Sequence, residues 1–377
     1  MKKINVWDIQ TRIFHWSLVI FVLSTVVTAD ILSFFGIDLV NKDSWLAFHI
    51  GTGVAVAILL LFRIFWGFSG PHYSRFSSLH LSLAELFSYI KAVIKNEKTN
   101  YTGHNPAASW SALGIITLGL LAALTGVIVF GIDEGRGISR FLYLGFYVYA
   151  DQLKLLHLAL SYLLLGVVIG HVCGVLNETI RHKTGIIPAM FTGTKLSDET
   201  DKPIHTATPV RLISYLWIIS PLAAILFLPS SLETKQPVKL SIPQIYLKEC
   251  GSCHMAFPPN LLPAESWKNM MSSLNDHFGD DASINDTAKK EIEVFLVTYA
   301  AETSHEEASI KLLRSIKNEN PPARITEIPY WKEKHKPINL EIYQRSSIKS
   351  RINCVACHKL AEYGSFEDND IRIPKKI

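Results

Sequence analysis

The chain has 377 residues, of which 49% are hydrophobic and only 19% charged, and its formal net charge is +4. That length is enough for two domains, and composition splits the chain: apolar stretches dominate up to about residue 232, whereas the remainder has the make-up of a soluble domain. From residue 245 onward 18 Lys and Arg stand against 19 Asp and Glu, so the basic excess lies in connections between apolar stretches. This excludes a nucleic-acid footprint and leaves a topology signal.

Five stretches, at 13–35, 45–66, 110–132, 155–176 and 212–232, are long enough to span a bilayer, which takes about 20 mostly apolar residues. The first has the basic start and the small residues (Thr28, Ala29) of a cleaved signal peptide, but it also carries His15, a polar residue that a signal peptide has no use for. Residues 79–95 have the spacing of an amphipathic helix lying on the membrane surface. Pro221 in the fifth stretch should only kink it. The N-terminus and the second and fourth connections carry 12 Lys and Arg, including Lys183, while the first and third carry only Lys42, Arg136, Arg140 and Lys154. The positive-inside rule therefore puts the N-terminus in the cytoplasm and the C-terminal part on the opposite face.

Histidines inside spanning segments are rare and point to function; here they are His15, His49, His157 and His171. His157 and His171 share the fourth segment 14 residues apart, which puts them on one face and separates them by roughly 21 Å. Orientation then sets the pairs by depth: His15 with His171 on the cytoplasmic side, His49 with His157 on the outer side. Two bis-imidazole haems b, stacked across the bilayer, follow from this pairing; the bland alternative is four satisfied polar residues in a bundle core. Arg12, Arg63 and Arg181 could hold haem propionates or simply mark the cytoplasmic face. Cys173 suits a small core residue, and His72, His80, His182 and His205 suit a cytoplasmic surface.

The other four cysteines form Cys250-Gly251-Ser252-Cys253-His254 and Cys354-Val355-Ala356-Cys357-His358, each the C-x-x-C-H attachment signature of c-type haem. Two thiols one turn apart reach the two vinyl groups, and the next residue offers its imidazole to the iron as proximal ligand. Zinc ribbons place their pairs closer together, and a redox dithiol needs no His after it. For the distal positions the residues offer His277, His305 and His335, with Met255, Met270 and Met271 as rivals. Met255 adjoins His254 and cannot cross to the far face of the same haem. His277 closes an expected helix over 265–277, His335 follows a short helical turn at 330–334, and His305 sits in a polar stretch that suits a surface.

Val6-Trp7-Asp8 through Arg12-Ile13-Phe14-His15-Trp16 resembles the opening of the prokaryotic cytochrome b561 family, which includes the cytochrome b subunit of nickel-iron hydrogenases. Phe48-His49-Ile50-Gly51, Arg63-Ile64-Phe65-Trp66-Gly67, Gly103-His104-Asn105-Pro106 and the pair His157 and His171 extend the likeness over about residues 4–190. It implies that the four histidines ligate two haems b and that the helices exchange electrons with the quinone pool. Residues 245–377 resemble a bacterial dihaem cytochrome c family through Glu249 to His254, Pro258-Pro259, His277-Phe278-Gly279, Arg324-Ile325-Thr326-Glu327 and Asn353 to His358. That resemblance implies bis-His ligation with His277 and His335 as distal ligands. The fusion departs from the hydrogenase arrangement, in which the cytochrome b stands alone.

The expected fold is all-α: a transmembrane bundle of four haem-binding helices with a fifth tether helix, then a mainly helical, loop-rich dihaem domain. The expected organisation is a membrane domain over 1–190, a cytoplasmic loop, fifth span and linker over 191–244, and a periplasmic domain over 245–377. The expected function is electron transfer between the quinone pool and a soluble periplasmic cytochrome or redox enzyme, at the bacterial inner membrane. Its cofactors are two non-covalent haems b and two covalent haems c. Quinol:cytochrome c-type oxidoreductase activity is compatible with this, as is an oligomer; no nucleic-acid partner and no acid–base catalytic residue is expected. Two rivals are a membrane anchor subunit of a larger dehydrogenase or hydrogenase and a terminal reductase with an open c haem. His104 is a candidate for a quinone site and equally for a structural cap.

Overall fold

In lipid every backbone amide must find its partner within the segment, so the apolar stretches are helices. The computed structural model describes residues 2–31, 42–97, 99, 101–182, 184–197, 202, 206–232, 240–304, 306–316, 321–367 and 370–375. The chain clusters into two units, Met1–Gly126 with Gln152–Glu233, and Val127–Asp151 with Thr234–Ile377.

In the first unit a strand β1 (Lys2–Asn5) leads into α1 (Ile9–Val26), which a π-helical turn extends over Val27–Ile31. There follow α2 (Lys42–Ser69), α3 (Leu83–Ile94), α4 (Pro106–Asp133), α5 (Ala150–Asn177), α6 (Ile186–Thr192), strand β2 (Thr194–Ser197) and α7 (Thr208–Leu232). The helices α1, α2, α4, α5 and α7 are long and apolar enough to cross a membrane. All five begin earlier than hydropathy suggests, and polar caps set the starts of α1 and α4: Asp8 accepts from the Thr11 amide at 2.9 Å, and Asn105 Oδ1 from the Ala108 amide at 2.7 Å. α7 runs unbroken through Pro221.

α2 is the central helix, packed along α1 and α7. Its Leu59, Phe62 and Trp66 are fully buried against Phe14 and Ile218, and Phe65 stacks on Trp217 at 5.4 Å. α3 leaves Leu83, Phe87, Ile90 and Ile94 exposed; at i, i+4, i+7 and i+11 these form one apolar stripe, as a helix resting on a lipid surface requires. β1 and β2 pair antiparallel with Lys2 opposite Ser197 and Asn5 opposite Thr194. The ribbon continues through the amides of Val6 and Trp7, which both donate to the Gly193 carbonyl. Gly193 has φ +81°, and an added Cβ would stand 2.6 Å from the Trp7 carbonyl oxygen, so the position requires glycine.

The second unit contains α8 (Gln244–Cys250), α9 (Ala264–Ser272), α10 (Asp286–Thr298), α11 (Glu307–Ser315) and α12 (Pro329–His335). Tyr246, Leu262, Trp267, Met271, Ile292, Leu296, Leu312 and Ile328 form its core. The helix expected over 265–277 ends at Ser272. The Ser272 and Ser273 hydroxyls turn back onto the Asn269 carbonyl at 2.8 and 2.9 Å, competing with the helical ladder. A 3₁₀ turn, Leu274–Asp276, follows, and Phe278 (φ 60°) and Gly279 (φ 105°) then reverse the chain.

This unit also takes in residues 127–151, the end of α4 and the connection to α5, through a lattice of charges. Arg136 pairs with Glu367 at 2.7 Å and with Glu307 at 3.2 Å, Lys311 with Glu134 at 3.1 Å and with Glu307, and Arg314 with Asp133. Burial pushes the Glu134 carboxyl up to about 7, Glu307 and Asp133 adding to the rise and Lys311 opposing it. The folded carboxyl thus holds a proton that the unfolded one releases above its ordinary value of 4.5, and stability is lost as pH rises from there through about 7. Glu134→Gln is expected to flatten the fall of the unfolding midpoint between about pH 5 and pH 7.5; a slope equal to that of the unaltered protein would count against this assignment.

Candidate functional site

Eight histidines meet in four pairs. In the first unit the ring centroids of His15 and His171 lie 6.5 Å apart, and those of His49 and His157 6.4 Å apart. In the second unit the separation is 6.2 Å for His254 and His277 and 6.1 Å for His335 and His358. An imidazole nitrogen stands about 2 Å from a metal it binds and the ring centre roughly another 1 Å behind it, so two imidazoles opposed across one metal atom have centroids about 6 Å apart. All four pairs have that spacing.

Ring orientation points the same way. His49 Nδ1 lies 3.1 Å from the Thr25 carbonyl and His157 Nδ1 3.0 Å from the Ala122 carbonyl. His335 Nδ1 is 2.8 Å from the Trp331 carbonyl and His254 Nδ1 2.7 Å from that of Met255. A carbonyl accepts only from a protonated Nδ1, which leaves the Nε2 lone pair for a metal and fixes the ring. Trp331 also stacks on His335 at 4.2 Å, and Phe366 packs edge-on against His358 at 5.2 Å. His15 has a buried Nδ1 without a hydrogen-bond partner.

Room for a flat group accompanies the pairs. An added Cβ at the half-buried Gly53, one turn beyond His49, meets no atom within 4 Å. In the second unit a cavity of about 280 Å³ is lined by Trp331, His335, Cys354, Cys357, His358 and Phe366. The residues present therefore fit haem.

The thiols fit covalent attachment better than dithiol chemistry. Burial raises Cys250 and Cys354 to about 11, the Glu249 carboxylate adding to the rise at Cys250; reactive dithiols have depressed values. Burial likewise holds His277 and His335 below the ordinary imidazole range, which favours the neutral form that can ligate. Among the described residues no group of three or more His, Cys, Asp or Glu is arranged to hold a metal ion by itself. Cys354 to Ala356 form a 3₁₀ turn, and the His358 amide returns to the Cys354 carbonyl at 2.8 Å, wrapping the motif as a single turn.

Among the other residues singled out in the sequence, His104 stands near enough to His15 and His171 to interact with them electrostatically. Arg63 is buried, donates to the Ser74 carbonyl at 2.9 Å and lies over the Phe76 ring; Arg12 donates to the Phe191 carbonyl, and Arg181 is exposed. The cap of α4 is Asn105, not His104; His104 packs edge-on against Trp7 at 4.9 Å with its Nδ1 buried and unpartnered. His72 is exposed, His80 and His182 are half-buried, and Cys173 is exposed. His205, His305 and Lys183 lie outside the described residues. Sequence reasoning passed over Trp331 as the support of His335; the signal was its place one turn earlier on the same short helix.

Five apolar spanning helices, histidines paired across them and two thiol-pair motifs with paired imidazoles together define a multi-pass membrane haem protein. The chain belongs to the dihaem cytochrome c family through residues 246–366, and its residues 6–193 match the family model of prokaryotic cytochrome b561. Among solved structures it is similar to a diheme cytochrome c from Rhodobacter sphaeroides, 37% identical over 34% of this chain and 100% of that one, with a TM-score of 0.30. It is also similar to a diheme cytochrome type c from Shewanella baltica OS155, 35% identical over 35% of this chain and 95% of that one, with a TM-score of 0.28. Among curated proteins none matches. The two families together imply transmembrane electron transfer with haems.

Proposed function

We propose that the chain carries electrons between the quinone pool and a soluble one-electron partner in the periplasm. It sits in the bacterial inner membrane with its N-terminus in the cytoplasm and the segment from residue 245 outside. His15 with His171, and His49 with His157, would hold two non-covalent haems b; Cys250, Cys253, Cys354 and Cys357 would bind two haems c. His254 and His358 are then the proximal ligands, His277 and His335 the distal ones. The haems supply one-electron oxidation and reduction. The chain's own part is to fix eight imidazoles in opposed pairs, to orient four of them through carbonyl acceptors, and to keep the inner pairs out of water.

The observation that carries this reading is the common spacing of the four pairs, 6.1 to 6.5 Å, reached on two unrelated scaffolds. Bis-imidazole ligation leaves no open iron for a substrate, which favours a carrier over a terminal reductase. Loop charges and the C-x-x-C-H motifs agree on the outward placement, because covalent attachment of haem c takes place on that side. A pyridine haemochrome assay on purified protein is expected to give equal amounts of extractable haem b and covalent haem c, two of each, with low-spin oxidised spectra. High-spin haem, or a stoichiometric catalytic subunit that alone gives the protein its turnover, would overturn the carrier reading.

A further inference from the structure

The two C-x-x-C-H sites have different surroundings. α4 ends its membrane-spanning run at Asp133, and the residues at and just after that end, Asp133, Glu134 and Arg136, are paired with Arg314, Lys311 and Glu307 of α11. Side-chain exposure of Asp133, Glu134, Lys311 and Arg314 lies between 5% and 18%, so these pairs are partly desolvated and geometrically defined, unlike isolated surface pairs. α11 also walls the cavity of the Cys354 site, through Glu307, Ala308 and Leu312. A second connection runs from Arg136 to Glu367 at 2.7 Å, and the neighbouring Phe366 packs against His358. By two routes, then, the Cys354–His358 site is fastened to the outer end of a span.

Both sites have exposed neighbours, Val355, Lys334 and Lys336 at the Cys354–His358 site among them, but the attachment loop of the Cys250–His254 site is the more open. Gly251, Ser252 and Cys253 are exposed, as are Asp276, Phe278, Gly279 and Asp280 around its second imidazole.

We infer that the Cys354–His358 site is the membrane-side station of the two, and that the Cys250–His254 site is the port to the soluble partner. This rests on the functional reading above. Oxidation of one quinol releases two electrons and two protons; the electrons pass singly to the Cys354 site, from there to the Cys250 site, and each reduces one molecule of a one-electron acceptor. The charge lattice at residues 133–136 holds the first station in place.

The order is tested on the full-length protein with a short-chain reduced benzoquinol as donor. Cys354→Ala with Cys357→Ala should leave one covalent haem that dithionite reduces and the quinol does not. Cys250→Ala with Cys253→Ala should lose delivery to an added soluble acceptor while its remaining covalent haem is still reduced by quinol. The reverse pattern, or quinol reduction of the remaining haem in both variants, overturns the order. An unaltered protein whose covalent haems quinol cannot reduce overturns the functional reading itself. The lattice has its own readout. Arg136→Gln with Arg314→Gln should keep both covalent haems yet lose hydrogen-exchange protection at 307–315 and 361–367, with 266–277 unchanged; unchanged protection at 307–315 overturns the fastening.

Discussion

Replacing His157 with alanine is expected to lower the non-covalent haem content from two to one per chain and leave the covalent haem staining as it was. His157 faces His49 across 6.4 Å, and among the described residues no other histidine is paired with His49. Its ring is held by the Ala122 carbonyl at 3.0 Å and the Thr125 hydroxyl at 3.2 Å. An added Cβ at Gly126 would stand 3.1 Å from its Cε1 atom, so the ring packs closely on α4 where glycine leaves room for it. Removing one of two axial ligands from a non-covalent site removes the attachment itself, since no thioether holds the ring in place. Supporting residues weigh less: Thr125→Val should weaken retention by about 10- to 100-fold in affinity at most, as expected for a partner behind the ligand. His15 and His171 stand four helical turns away and should keep the other haem. A haemochrome ratio still at two b to two c after His157→Ala would sink the pairing by depth.

That pairing was legible in the sequence because it needs only helix rise, hydropathy and the sign of loop charge. The spacing of 14 residues between His157 and His171 fixes two depths, and topology assigns His15 and His49 to them. The C-x-x-C-H motifs were legible for a different reason, being contiguous and carrying their chemistry in their spacing. What stayed hidden depends on residues far apart in the chain. β1 and β2 are four residues each and join positions 2–5 to 194–197, too short to show periodicity and too distant for a hairpin signal. The lattice at Asp133 to Arg136 finds its partners at 307–314 and 367, where the sequence shows only charges suited to a solvated face. The break after Ser272 is not marked by a glycine or proline, the first of which comes only at Gly279; it is decided locally, by serine hydroxyls and the left-handed Phe278 and Gly279. The motif around Asp8 was noticed as a likeness, but its physical role emerges only from contacts.

Asp8 is 5% exposed and accepts four hydrogen bonds. The Thr11 amide and Trp66 Nε1 reach one oxygen at 2.9 and 3.2 Å, and the hydroxyls of Thr11 and Ser74 reach the other at 2.7 Å each. These donors come from the start of α1, the end of α2 and the loop after it, so one carboxylate ties three segments together. It also attracts the buried Arg63 guanidinium, whose own hydrogen bond goes to the Ser74 carbonyl. Asp8→Ala leaves four donors without their acceptor and a buried cation without its counter-charge, and is expected to cost on the order of 3–5 kcal/mol. Asp8→Asn separates geometry from charge: its carbonyl can still take the Thr11 amide and the Trp66 indole, while its amide group donates to the hydroxyls, so the loss should be smaller and should reflect the uncompensated Arg63. Denaturant unfolding of the purified protein, followed by tryptophan fluorescence, reads both variants. An alanine variant within about 0.5 kcal/mol of the unaltered protein would show that water or lipid headgroups satisfy these donors equally well, and that the motif binds no segments together.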